Sequence, residues 1–184
     1  MLKPDPIWLP EAQQRHFRQL LDAMARPGTC HAIDTRPEAG PVVLSVLASL
    51  LDAEVSLADP HELLCSEDWP KLQATNMDAE QADYVLCDGT GVPDFTPKLG
   101  SLPEPEQSAT LILLVEQLGR GQHHLKLTGP GIEQTTTLHI DGLATEWLQR
   151  REEWVSGFPL GVDLILVDEY RLAALPRTTR VEVD

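Results

Sequence analysis

Arg177, Thr178, Thr179 and Arg180, directly after Pro176, form the most suggestive polar cluster of the chain. A guanidinium grips an oxyanion through paired hydrogen bonds, and neighbouring hydroxyls and backbone amides complete the shell. Such a corner suits a phosphate or phosphonate oxygen. The turn Gly129-Pro130-Gly131 adds amide donors if it folds beside this corner, so Arg177, Thr178, Thr179, Gly129 and Gly131 make up a candidate anion site. The competing reading, and the favoured one, is structural. In it Pro176 ends a strand, and the threonines satisfy backbone groups or line a subunit interface.

Other chemistries find less support. A pyridoxal phosphate enzyme needs a lysine for the Schiff base and an Asp or Arg near the pyridinium nitrogen. Lys3 lies in the N-terminal tail, Lys71 and Lys98 flank proline-bearing loops, and Lys126 projects from a strand centre, so each reads as a solvated surface residue. No cofactor is expected. His123 and His124 are adjacent on a strand and point to opposite faces. His139 and Asp141 share a face, as half of a metal site or, preferably, as a polar strand end before the Asp141-Gly142 turn. His16, His31 and His61 are isolated, and no His-Glu-x-x-His occurs. Gly89-Thr-Gly91 lacks a third glycine and a following helix. A Ser-His-Asp arrangement needs no sequence proximity, but no Gly-x-Ser-x-Gly elbow supports one. No catalytic and no metal-ligating residue is assigned.

The frame that must position these groups is bounded by composition. The chain has 184 residues and a formal charge of −15, from 29 acidic and 14 basic side chains. That balance argues against nucleic acid, whose binding relies on Lys and Arg displacing counterions, and against anionic lipid. With 42% apolar residues, the whole of 1–184 is expected to fold as a single domain. The first residues lack the basic segment and unbroken apolar core of a signal peptide. The longest apolar stretches, 41–51 and 111–115, are too short to span a bilayer. Cys30, Cys65 and Cys87 are an odd, scattered set, which argues against disulfides or a zinc knuckle. The chain reads as cytoplasmic.

Periodicity supplies the elements. Residues 10–26 predict a helix with Phe17, Leu20, Leu21 and Met24 as its buried stripe, ended by Pro27-Gly28. Residues 42–52 predict a second helix, with Val43, Leu47, Leu50 and Leu51 inward. Strands are expected at 55–58, 84–87, 109–116, 123–128, 135–140, 162–167 and 172–175, the run 109–116 being buried on both faces. The segment 61–72 is one helix or two turns about Trp69-Pro70, and 119–121 and 129–131 are glycine breaks. A last helix at 143–155 turns Leu143, Trp147, Leu148 and Trp154 inward. The sum is an α/β fold with a central mixed β-sheet flanked by helices.

Several blocks also stand in the order of a known family. They are Phe-Arg-Gln-Leu-Leu-Asp-Ala-Met-Ala-Arg-Pro-Gly at 17–28, Ala-Thr-Leu-Ile at 109–112 and Leu-x-Leu-Thr-Gly-Pro-Gly-Ile at 125–132. Phe-Pro-Leu-Gly-Val-Asp-Leu-Ile-Leu at 158–166 and Leu-Pro-Arg-Thr-Thr-Arg-Val-Glu at 175–182 complete the set, which covers about half the chain. Together they resemble PhnH, a subunit of the bacterial carbon–phosphorus lyase core complex; the segment 59–107 carries no matching block. The resemblance implies a homodimer that sits with the G, I and J subunits. That assembly forms a ribose 1-alkylphosphonate 5-triphosphate from ATP and an alkylphosphonate, with the chemistry attributed to the I and J subunits. It also implies a fold similar to pyridoxal-phosphate-dependent transferases without the cofactor site, and a supporting rather than catalytic role. Two alternatives remain: a free-standing transferase binding an anionic phosphonate or phosphate substrate near Arg177, and a general scaffold.

Overall fold

The apolar run expected to be buried on both faces lies in the middle of a seven-stranded sheet. In the computed structural model, which describes residues 6–33 and 41–183, β5 (Thr110–Leu114) pairs in parallel with β4 (Tyr84–Asp88) and with β8 (Asp163–Val167). Short strands β2 (Ser56–Ala58) and β3 (Thr75–Asn76) extend the parallel side. β9 (Arg171–Leu175) and β1 (His31–Ala32) close the other side in antiparallel register. The order β1-β9-β8-β5-β4-β2-β3 is therefore mixed.

Strand alternation sends side chains to two separate cores. Leu86, Ile112, Ile165 and Val167 face one side, where α1 (Pro10–Ala25) and α2 (Val42–Leu50) cover them. Val85, Leu111, Leu113, Leu164 and Leu166 face the other, against α4 (Thr145–Val155) and a second sheet. That second sheet is antiparallel, in the order β10 (Arg180–Val183), β6 (Gln117–Thr128), β7 (Thr136–Asp141). Trp147, fully buried in the first turn of α4, packs edge-on to Phe95 at 6.2 Å between ring centres. Burying each such large side chain contributes about 1.5–3 kcal/mol before entropy.

The structure corrects several expectations. The strands of 123–128 and 135–140 belong to the separate three-stranded sheet rather than to one central sheet. β6 does not start after the glycine break but runs through it, with a register shift between Leu118 and His123. Gly121 makes this possible: at φ 138° a Cβ there would lie 2.3 Å from the Ile140 carbonyl carbon. α1 is rotated from the expected stripe. Ala12, His16, Leu20 and Ala23 are buried, while Phe17 and Leu21 are exposed. Segment 61–72 holds only the four-residue α3 (Trp69–Leu72), with Pro70 in its first turn. Among the described residues no helix is long and apolar enough to cross a membrane.

A carboxylate ties the parallel edge together. Ser56 donates its backbone N–H (3.0 Å) and hydroxyl (2.6 Å) to Asp83, just before β4, and Lys98 donates to the other carboxylate oxygen at 2.5 Å. Burial alone pushes the Asp83 carboxyl up, but Lys98 and Ser56 outweigh it and hold it below its ordinary value. A depressed carboxyl contributes stability above its unfolded pKa of about 4 and loses it as pH falls through the folded value. Thermal melts should show Asp83→Asn less stable than the parent at pH 7, with the gap closing toward pH 3. A gap independent of pH would show that the carboxylate charge is not what holds this edge.

Candidate functional site

The β8–β9 hairpin sets the position of Arg177. Leu164 pairs with Leu175, so Asp163 at the start of β8 faces the chain as it leaves β9. The residues that follow form a tight turn in which Thr179 donates its N–H to the Pro176 carbonyl at 2.9 Å. At the hairpin's other end Asp168, 6% exposed, accepts the N–H groups of Tyr170 and Arg171 at 2.7 and 2.6 Å. It also accepts from Leu118 N–H at 2.8 Å, which fastens β6 to the main sheet.

Arg177 is anchored on all sides by protein. Its backbone N–H donates to Asp163 Oδ1 at 2.7 Å, and its Nη2 to Asp163 Oδ2 at 2.7 Å and to the Ser108 hydroxyl at 2.5 Å. Nη1 donates to the carbonyls of Pro105 (2.9 Å) and Pro159 (3.3 Å), and Nε makes a longer contact to Asp163 Oδ1 at 3.4 Å. A guanidinium has five N–H donors, and here each has an acceptor. The side chains of Arg177 and Asp163 are both only 16% exposed. The arrangement joins β8, the 105–108 turn and the 158–159 loop, and leaves Arg177 no donor for a ligand.

The expected neighbours of Arg177 meet only in part. Gly129 does pack against the turn, since a Cβ there would lie 2.9 Å from the Thr178 carbonyl oxygen. Gly131 faces away, toward the Ala25 carbonyl at the end of α1, and lines a separate hollow of about 480 Å³. Thr178 is exposed and Thr179 is 2% exposed. Both border a groove of about 1040 Å³ between α4 and β10, together with Pro130 and Arg177.

One functional candidate was absent from the sequence reading. Arg151 lies on the inward face of α4 with Trp147, Leu148 and Trp154, and is 3% exposed. Its Nη2 donates to the carbonyls of Pro176 (2.6 Å) and Thr179 (3.0 Å), clamping both ends of the turn. Its Nε is buried without an acceptor. Burial lowers its pKa to about 10, an effect partly offset by Asp163, so it stays charged at neutral pH. The available signal was a charge three residues before Trp154 and four after Trp147, on a face otherwise apolar.

The remaining candidates are placed as follows. Lys71 donates to Asp68 at 2.9 Å and Lys126 to Glu182 at 3.0 Å, while Lys98 is held by Asp83; Lys3 lies outside the described residues. His139 meets His124 across the β6–β7 pair, ring centres 4.5 Å apart. Among the described residues no cluster of three His, Cys, Asp or Glu side chains is placed to hold a metal.

Comparison with known proteins sets this geometry in a family. The sequence profile described as bacterial phosphonate metabolism protein (PhnH) matches residues 7–182, from the turn before α1 to β10. The HtxG protein of Stutzerimonas stutzeri, named as a C-P lyase subunit, is 42% identical over 177 residues, covering 96% of this chain and 89% of its own length. A Rhizobium meliloti protein named alpha-D-ribose 1-methylphosphonate 5-triphosphate synthase subunit PhnH is 32% identical over 194 residues, covering 97% and 92%. The matched span takes in the Arg177 anchor, the Arg151 clamp and both sheets, and the chain belongs to the PhnH family of bacterial phosphonate metabolism proteins.

Proposed function

We propose that this chain is a subunit of a ribose 1-methylphosphonate 5-triphosphate synthase in the C-P lyase pathway, supporting the complex without catalysing on its own. The observation that carries the reading is the alignment along 97% of the chain with the Rhizobium meliloti protein of that name. The committed donors of Arg177 favour it over a free-standing transferase, because the corner best suited to an anionic substrate is already filled by Asp163, Ser108 and two carbonyls. The role of Arg177 and Thr178 in this proposal is to shape an interface rather than to hold a substrate.

The finer parts of the proposal are a homodimer, docking to the G, I and J subunits, a cytoplasmic location and one domain across 1–184. Kinship in fold with pyridoxal-phosphate-dependent transferases, without that cofactor, belongs with them. The part without the cofactor is supported by Lys71, Lys98 and Lys126, each ion-paired to a carboxylate, a setting opposed to Schiff-base formation. The test is affinity purification of the tagged chain from cells growing on methylphosphonate as phosphorus source. The G, I and J subunits should come down in fixed ratio, and a deletion strain should grow only when complemented. A purified chain that recovers none of the three, or that releases adenine from ATP unaided, would overturn the reading.

A further inference from the structure

The groove between α4 and β10 has the make-up of a ligand site. At its floor is Arg151, a buried guanidinium with no carboxylate in ion-pair range among the described residues. The carboxylate that acts on it through space, Asp163, is ion-paired to Arg177. A buried cation without a counter-ion costs several kcal/mol, and two backbone carbonyls offset only part of that. Beside it the Thr179 hydroxyl is also buried without a partner. Two adjacent polar side chains, each more than nine-tenths buried and each holding one covered atom without a partner, thus line one groove of about 1040 Å³, and a ligand reaches those two atoms only by displacing what covers them.

The walls define the rest of the ligand. Arg180 is exposed on the same wall and likewise has no carboxylate partner among the described residues. Two carboxylates line the groove, Glu152 and Glu182, and Glu182 is neutralised by Lys126 at 3.0 Å. Arg151 and Arg180 therefore outweigh Glu152, a local positive excess on a chain whose formal charge is −15. Leu148, Val155 and Phe158 supply the apolar side, with Phe158 66% exposed. An aromatic ring left that open gains from covering by a flat or apolar body.

We propose that this groove binds a small organic oxyanion, its carboxylate or phosphorus-oxyanion head set toward Arg151 and Thr179 and its apolar or ring body against Val155 and Phe158. Binding supplies the counter-ion that Arg151 lacks and covers Phe158 at the same time. The site shares Thr179 and Arg180 with the Arg177 corner but turns on Arg151, since the donors of Arg177 are filled, and it does not depend on the chain being a synthase subunit.

The test is calorimetric titration of the purified full chain with phenylphosphonate, benzoate, inorganic phosphate and benzyl alcohol. Phenylphosphonate or benzoate should bind saturably, and the tighter of the two identifies the head group. Inorganic phosphate, lacking the body, should bind about tenfold more weakly, and benzyl alcohol not at all. Arg151→Gln should weaken binding by about 30-fold, as expected for a lost charge-assisted hydrogen bond, and Arg151→Lys by less. Should Arg151→Gln fail to fold, Phe158→Ser at an exposed position keeps the question open to decision, with an expected loss of about five- to tenfold. No saturable binding of either organic anion at millimolar concentration would overturn the assignment. So would binding that Phe158→Ser and Arg151→Lys both leave unchanged.

Discussion

Replacing Arg177 with alanine is expected to lower the stability of the fold by about 3–5 kcal/mol, because it strands a buried carboxylate. For a chain of this size that is a fall in melting temperature of roughly 10 °C. Asp163 would keep only the Arg177 backbone N–H as a donor, and the Ser108 hydroxyl and the Pro105 and Pro159 carbonyls would lose theirs. Arg177→Lys should recover little, since one ammonium cannot reach the same spread of acceptors as a planar fork. Removing both partners in Arg177→Ala/Asp163→Ala should cost less than the sum of the single changes, a coupling that a double-mutant cycle in urea would read directly. A melting temperature unmoved by Arg177→Ala would mean that the side chain is not structural, and would restore it as an anion ligand.

Gly131→Ala should be almost as damaging, at about 2–5 kcal/mol from a left-handed backbone and an overpacked contact together. Gly131 has φ 80°, and an added methyl would lie 2.0 Å from the Ala25 carbonyl oxygen. That oxygen belongs to the last residue of α1 and cannot rotate away, so either the helix end or the 129–132 turn must move. Gly157→Ala is the matched control, because nothing lies within 4 Å of the added carbon. Urea unfolding should show a lower midpoint for Gly131→Ala and little change for Gly157→Ala. Equal midpoints would mean that the close packing of the turn on α1 is not maintained in solution.

The parts of this fold that sequence reveals are those where one kind of residue decides the outcome. The run Thr110–Leu114 has no polar face and therefore sits mid-sheet, and the Trp147-Leu148-Trp154 spacing places the inward face of α4. Where packing decides, the pattern misleads. On α1 the large side chains Phe17 and Leu21 are exposed, while Ala12 and Ala23 are buried, because a helix lying close on a sheet favours small residues at the contact. β1 and β3 are two residues each, too short for any periodicity, and β10 alternates Arg-Val-Glu-Val with mostly exposed side chains. All three are recruited by neighbouring strands rather than by their own propensity.

The candidate site divides the same way. Residue type drew attention to the Pro176–Arg180 corner, and its adjacency to Gly129 is real. Which arginine has donors left over was not readable, because it depends on Asp163, Ser108, Pro105 and Pro159 meeting at one guanidinium. Those acceptors come from segments up to 72 residues away in the chain. Arg151 was hidden for the opposite reason: a charged residue on an amphipathic helix ordinarily faces water.

The strand order also dictates when this protein can finish folding. Ile165, Val167, Leu172 and Ala174 complete the apolar platform beneath α1 and α2, yet α2 ends at Leu50 and β8 begins only at Asp163. On the ribosome the two helices therefore emerge long before their floor is whole, with Leu20, Val46 and Leu47 only partly sheltered. Parallel pairing of β4, β5 and β8 adds contacts between distant segments, which slows closure further. A nascent chain halted after β7 is thus an open, adhesive intermediate that invites chaperone capture, and native closure awaits release of the last hairpin.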